Sequence, residues 1–279
     1  SEFCIDANGN ICEDCDGIAL CETWYDTNDR TILYLERNLE GNLVPNRNGD
    51  YIQRREYFED NSYLTISFDN ENNIQVNSRG YAMRHTWTDE MGRITKELWF
   101  DCDHYPIANP SGDYGFTRDY NDDNGEELIT SLNASVEPHI NSEGFVHKIV
   151  KNDSQDREIY YMRYLFDGEP FYDKYGVSGF STTYNDEDNS VEITSLDPDG
   201  NPIDNIDGIC SWIRRNYIDG SLAMIRWFDI NHESTINPQT GSYGMSVTYN
   251  NATNSEIQTC LNQDGKPYTT SRGYMYIFV

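Results

Sequence analysis

The sequence is short of positive charge, of aliphatic bulk and of histidine. Its 20 lysines and arginines stand against 48 aspartates and glutamates, for a net charge of −28. A phosphate backbone or an anionic lipid surface would repel such a chain, which excludes nucleic acid and membrane as primary partners. No run of 18 apolar residues occurs, so no transmembrane helix is read. The opening residues Ser1–Phe3 carry no leader pattern and read as the start of a fragment of something longer.

Catalytic signatures are missing too. The five histidines are His85, His104, His139, His147 and His232, and no H-E-x-x-H, G-x-S-x-G, Walker loop or G-x-G-x-x-G is present. With 48 acidic residues, carboxylates fall near one another by chance, so no glycosidase pair can be singled out. The expectation is a protein that is not an enzyme, with a polysaccharide hydrolase as the third-ranked reading.

What the chain does have is aromatic rings, 13% of residues including 21 tyrosines, which argues against disorder. Few aliphatics with many tyrosines suits thin β layers, where amphipathic rings cover a half-exposed face.

The rings are set in a repeat. Glycines stand at 17, 49, 80, 112, 144, 176, 208, 241 and 273, in steps of 31 to 33 residues. This spacing divides residues 1–279, as a single tandem-repeat domain, into a half repeat at 1–17 and eight repeats. These are 18–49, 50–80, 81–112, 113–144, 145–176, 177–208, 209–241 and 242–273, followed by a partial ninth at 274–279. Each repeat reads as two strands of about seven residues joined by a polar turn, then a second turn and an extended link. The eighth column is often Tyr, as at Tyr25, Tyr57, Tyr120, Tyr184 and Tyr249.

In the second turn, Gly41, Gly168, Gly200 and Gly265 share column 24 with Asn73, His104, His232 and, as an exception, Val136. Glycine, Asn and His mark a left-handed backbone position. Two columns on stand Pro106, Pro138, Pro170, Pro202 and Pro267, where a residue without an N–H interrupts the ladder. A weaker two-repeat period shows in "DYGFTRDYN", "VSGFSTTYN" and "SYGMSVTYN", which open repeats four, six and eight.

A hairpin this small cannot bury its face alone, so neighbours must stack. The expected fold is all-β: an elongated stack of about eight hairpins in a superhelical single sheet or β-solenoid-like rod. A closed, propeller-like ring is the alternative.

The stretch "LDPDGNPIDNIDG" has the opening cadence of a calcium loop at Asp197 and Asp199, but its twelfth position is Gly208, which carries no ligand. Asp and Asn cap their own backbone in such turns, so the reading is a repeated turn and no cofactor, with Ca2+ between turns as the alternative. Cys4, Cys12, Cys15 and Cys21 crowd the first repeat boundary. Three of them fall on apolar columns and read as small buried side chains. A Cys12–Cys21 disulfide and a zinc cluster are the other readings.

The aromatic residues are the main binding candidates: Trp87, Trp99, Trp212 and Trp227 with Tyr120, Tyr184 and Tyr249. Flat rings stack on sugar rings and anchor protein interfaces, and the competing reading makes them the shared core between hairpins. If every tryptophan were more than nine-tenths buried, stacking on a ligand would be ruled out.

"TDEMGRIT" (88–95) and "WYDTNDRT" (24–31) resemble the YD-type repeats of bacterial surface and RHS-like proteins. The aromatic-plus-glycine design is also similar to the cell-wall-binding hairpin repeats of Gram-positive bacteria. The resemblance implies an exported, extracellular or cell-surface bacterial protein. Its expected role is adhesion: non-catalytic binding of a glycan or protein partner. A structural spacer or shell segment is the second reading. Free sheet edges at the ends of a rod add end-to-end self-association.

Overall fold

The computed structural model describes every residue except 1, 6–8, 218–219, 251–254, 271–272, 274–275 and 279. Nineteen strands and no helix occur among the described residues. After β1 (Glu2–Phe3), the first repeat supplies β2 (Leu20–Tyr25) and β3 (Thr31–Arg37), with β4 (Leu43–Val44) in its link. One hairpin per repeat follows. These are β5 (Ile52–Tyr57) with β6 (Ser62–Phe68), β7 (Met83–Thr88) with β8 (Ile94–Phe100), and β9 (Gly115–Asn121) with β10 (Glu126–Leu132). Next come β11 (His147–Asn152) with β12 (Glu158–Tyr164) and β13 (Gly179–Asn185) with β14 (Ser190–Leu196). The last are β15 (Ser211–Asn216) with β16 (Leu222–Phe228) and β17 (Gly244–Asn250) with β18 (Ser255–Leu261), before β19 (Tyr276–Phe278).

The chain forms two compact units, residues 1–119 with 128–146, and residues 120–127 with 147–279. In each, antiparallel strands pair in chain order into an open sheet. In the first unit β1 lies on β2 through Glu2↔Cys21 and Phe3↔Leu20. In the second, β19 lies on β18 through Ile257↔Phe278. Neither unit closes into the ring that was the alternative expectation.

Two ladder lengths alternate between hairpins. Five residue pairs join β6 to β7 and β14 to β15, whereas three join β3 to β5, β8 to β9, β12 to β13 and β16 to β17. The short ladders precede the even-numbered repeats, and in the fourth, sixth and eighth the sequence places glycine there, with Ile52 in that column of the second. A Cβ on Gly115 would overlap the carbonyl oxygen of Glu97, and one on Gly179 the carbonyl of Tyr161 and the sulfur of Met162. A Cβ on Gly244 would lie 2.7 Å from the carbonyl oxygen of Ile225. The two-repeat period of repeats four, six and eight is therefore the mark of a close backbone approach at those three junctions.

Turns are closed by Asx side chains. Asp197 Oδ1 accepts the N–H groups of Asp199 at 2.9 Å and Asn201 at 2.8 Å, and Gly200 takes φ 81°. The same bonds recur from Asp69 to Glu71 and Asn73 and from Asp229 to Asn231 and Glu233. The calcium-like cadence is thus a capped turn, and Asp199 serves it through its backbone N–H.

The nine repeat glycines all have positive φ, as do Gly41, Gly168, Gly200 and Gly265 of column 24. Two expectations for this column need correction. Val136, read as the exception, is also left-handed at φ 64°, and in the second repeat Asn72 at φ 67° takes the position assigned to Asn73. The reason for the second is a hairpin turn one residue shorter: four residues separate Tyr57 from Ser62, against five between Tyr184 and Ser190. Pro106, Pro138, Pro170, Pro202 and Pro267 each make a single bridge, to Phe100, Leu132, Tyr164, Leu196 and Leu261, and the ladder stops there.

The core is thin and runs through the base of each hairpin. Ala19, Ala82, Val146, Ser178 and Cys210 occupy one repeat column and are buried, as are Leu132, Leu196 and Leu261 in another. Small side chains there let adjacent hairpins approach.

Candidate functional site

The tryptophans divide by column. Trp99 and Trp227, in the second strand of odd-numbered repeats, are 8% and 7% exposed and belong to the core. Trp24, in a first strand, is 42% exposed, and Trp87 and Trp212 are half-buried. Stacking on a ligand is therefore open to the first-strand rings.

Trp212 is the ring with the most developed surroundings. It lies directly across the ladder from Trp227, and Phe180 meets it edge-on at 5.6 Å and 74°. Together with Ile209 and Ile225 these rings form the apolar wall of a cleft of about 300 Å3. Its polar rim comes from the turns that end three successive repeats: Asp173, then Asn205 with Asp207, then Asn237 with Gln239. Each leading Asx residue caps its own turn. Asp173 Oδ1 accepts from Tyr175 and Val177, Asn205 Oδ1 from Asp207 and Ile209, and Asn237 Oδ1 from Gln239. Asp173 Oδ2 additionally accepts from Arg163 at 3.1 Å. Ser195 lies in the lining as well.

Local substitutions explain why the cleft forms beside Trp227. Around Trp99, Tyr81 stacks on the indole at 6.1 Å and 7°, where Trp227 has the smaller Ile209 in the same column. At the position of Trp212 the third repeat has Arg84, 3.5 Å from Glu97, and Glu97 accepts the indole N–H of Trp99 at 2.8 Å. Polar pairing and a tyrosine ring thus occupy the space that in the second unit forms the cleft.

The tyrosine candidates are engaged within the sheet. The Tyr184 hydroxyl donates to the Glu158 carbonyl at 3.2 Å. Tyr249 is 40% exposed and meets Tyr217 edge-on at 6.0 Å. Tyr120 is half-buried in β9.

Trp87 sits in a different arrangement, in the first unit. Its indole N–H donates to Asp60 at 3.2 Å, His85 stacks on it at 3.8 Å and Lys96 lies over it at 4.8 Å. Ser62 bonds both Asp60, at 2.6 Å, and His85 Nε2, at 2.8 Å. The single hydroxyl proton goes to Asp60, which leaves Ser62 as the acceptor from His85. Ser62 is 1% exposed, so this is a structural relay and not an activated nucleophile. Burial holds His85 below the usual histidine range.

The cysteine expectation is met in part. All seven thiols are free, and Cys12 N–H donates to the Cys4 carbonyl at 3.0 Å. Cys4, Cys12 and Cys21 are half-buried, but Cys15 is exposed. Its column faces solvent, for Ile206 in the same column is 72% exposed; the outward second position of a capped turn is the reason. Among the described residues no three His, Cys, Asp or Glu side chains group as metal ligands, neither at these cysteines nor at Asp197 and Asp199.

No family model and no curated protein matches this sequence. Among solved structures, one similar chain is an exo-beta-1,3-galactanase from Phanerochaete chrysosporium with beta-1,3-galactotriose. It has 10% identity and a TM-score of 0.13, over 87% of this chain and 46% of that one. Another is a GH43 beta-1,3-galactosidase with galactodeoxynojirimycin, at 10% identity and a TM-score of 0.15, over 92% and 93% of the two chains. Scores this low leave the reading of the cleft to its own geometry.

Proposed function

We propose that this is a non-catalytic carbohydrate-binding repeat protein of a bacterial surface, and that the cleft at Trp212 takes the sugar. One observation carries the reading. A half-buried indole, paired across the ladder with Trp227 and met edge-on by Phe180, shares one cleft with amides and carboxylates. Flat apolar surface matches the C–H face of a pyranose ring, and the rim matches its hydroxyls. A cleft of about 300 Å3 is at the small end of ligand sites and suits one or two rings.

Two carboxylates line the cleft, Asp173 and Asp207. The two oxygens of Asp173 are committed to two backbone N–H groups and Arg163, which favours holding a turn over moving a proton. A spacer or shell segment remains the second reading, and it predicts no saturable ligand.

The experiment is an oligosaccharide panel followed by titration calorimetry on the wild type and Trp212→Ala. Saturable binding of a member of the panel, weakened at least tenfold by Trp212→Ala with the melting temperature retained, is expected. A panel with no binder, or a binder indifferent to Trp212, would overturn the reading.

A further inference from the structure

We infer that the cleft selects an uncharged saccharide, and that one of its hydroxyls bridges Asn205 Nδ2 and Ser195 Oγ; this rests on the carbohydrate reading above. The repeats supply the comparison. In the second repeat Asn77 Nδ2 donates to Ser67 Oγ at 3.3 Å, and in the fourth Asn141 Nδ2 donates to Ser131 Oγ at 3.2 Å. The sixth repeat keeps both residue types at the same columns, as Asn205 and Ser195, yet the bond is not made. Ser195 is 0% exposed, its Oγ has no hydrogen-bond partner, and it lies in the lining of the cleft.

A buried hydroxyl without a partner is costly, and of the buried side-chain atoms without one among the described residues, this alone lies in the lining of the cleft, where a ligand can supply the partner. A sugar hydroxyl has one proton to give and two lone pairs, and can accept from the amide while bonding the serine. Asn205 remains fixed meanwhile, because its Oδ1 holds the turn through Asp207 and Ile209. The charge of the ligand follows from the rim. Asp173 and Asp207 both line the cleft of a chain with net charge −28, which disfavours uronic acids, sialic acids and sulfated sugars.

Two variants separate this pair from the stacking wall. Asn205→Asp keeps the turn cap, since Asp14 and Asp173 cap the same turn in other repeats, and removes the amide donor. Ser195→Ala removes only the buried hydroxyl. The panel contains neutral oligosaccharides and their uronic acid counterparts. The expected result is binding of a neutral member only, weakened at least fivefold by each variant, with the double variant no worse than the weaker single one. Losses under fivefold in either single variant, or preference for the acidic counterpart, overturn the inference. If Trp212→Ala still weakens binding in that case, the carbohydrate reading stands without it. A panel with no binder overturns both.

Discussion

Arg157 lies over the ring of Tyr184, its guanidinium carbon 4.2 Å from the ring centre, while the Tyr184 hydroxyl donates to the carbonyl of the next residue, Glu158. The first unit repeats the arrangement: Arg30 lies 4.3 Å from the Tyr57 ring, whose hydroxyl donates to Thr31 at 3.0 Å. Each arginine is also paired with the aspartate that caps its own hairpin, Asp153 and Asp26. The tyrosine thus fastens one hairpin to the tip of the preceding one. Tyr184→Phe keeps the stacking and loses one hydrogen bond, so it is expected to cost about 1 kcal/mol in urea unfolding. Tyr184→Leu adds the lost cation–π contact, a further ~0.5–1 kcal/mol.

The serines of the even repeats differ in what they bond. Ser131→Ala leaves the buried Asn141 amide without its acceptor and is expected to destabilise by about 1–3 kcal/mol. Ser195→Ala removes a hydroxyl that has no partner and is expected to be neutral or slightly stabilising without ligand. Melting temperatures of the two variants, measured side by side, test the contrast.

Gly179→Ala places a methyl group on the Tyr161 carbonyl and is expected to cost at least ~1–3 kcal/mol as a forced overpacking. The same column holds Leu20, Met83, His147 and Ser211 in the odd repeats, where side chains are accommodated. Gly244→Ala, where the added Cβ would keep 2.7 Å from the Ile225 carbonyl oxygen, should cost less, and a denaturant series on both variants checks the difference.

Acid should loosen the turns. Hydrogen bonds to Arg30 hold Asp26 below the usual carboxylate range, and backbone N–H groups of Asn73, Arg157 and Asn201 do the same for Asp69, Asp153 and Asp197. An unfolded aspartate titrates near about 3.9. Below that pH the unfolded chain takes up protons first. The stabilisation is full above the unfolded value and is lost as pH falls through the folded one. Asp197→Asn retains the capping oxygen and cannot titrate. Its neutral-pH stability is expected to fall below the wild type by what the charge contributes, with a shallower decline in acid unfolding followed by circular dichroism.

The array was legible because a left-handed backbone leaves few choices of residue. The glycines from Gly17 to Gly273 mark one such position per repeat, and the strands fall between them as the spacing predicts. Val136 escaped the rule since its conformation is fixed by the turn around it: Val136 N–H donates to Asn133, and Asn133 caps the turn. The site was legible only in its parts. Trp212 was one aromatic candidate among seven, and whether its neighbourhood is open depends on Tyr81 becoming Ile209 and Arg84 becoming Trp212, two exchanges between repeats that lie 128 residues apart. The missing Asn205–Ser195 bond has no trace in the sequence, because both residues match those of repeats that make it.

The glycines that open repeats four, six and eight set a step by which such a chain would grow or shrink through gene duplication. Excising the sixth repeat alone would put Ser211 where Gly179 rests on the Tyr161 carbonyl. Excising the fifth and sixth together would return each strand to a neighbour of the kind it already has. The expected module of duplication is therefore a doublet, such as the 64 residues from Gly144 to Gly208, and viable relatives should differ from this chain by whole doublets.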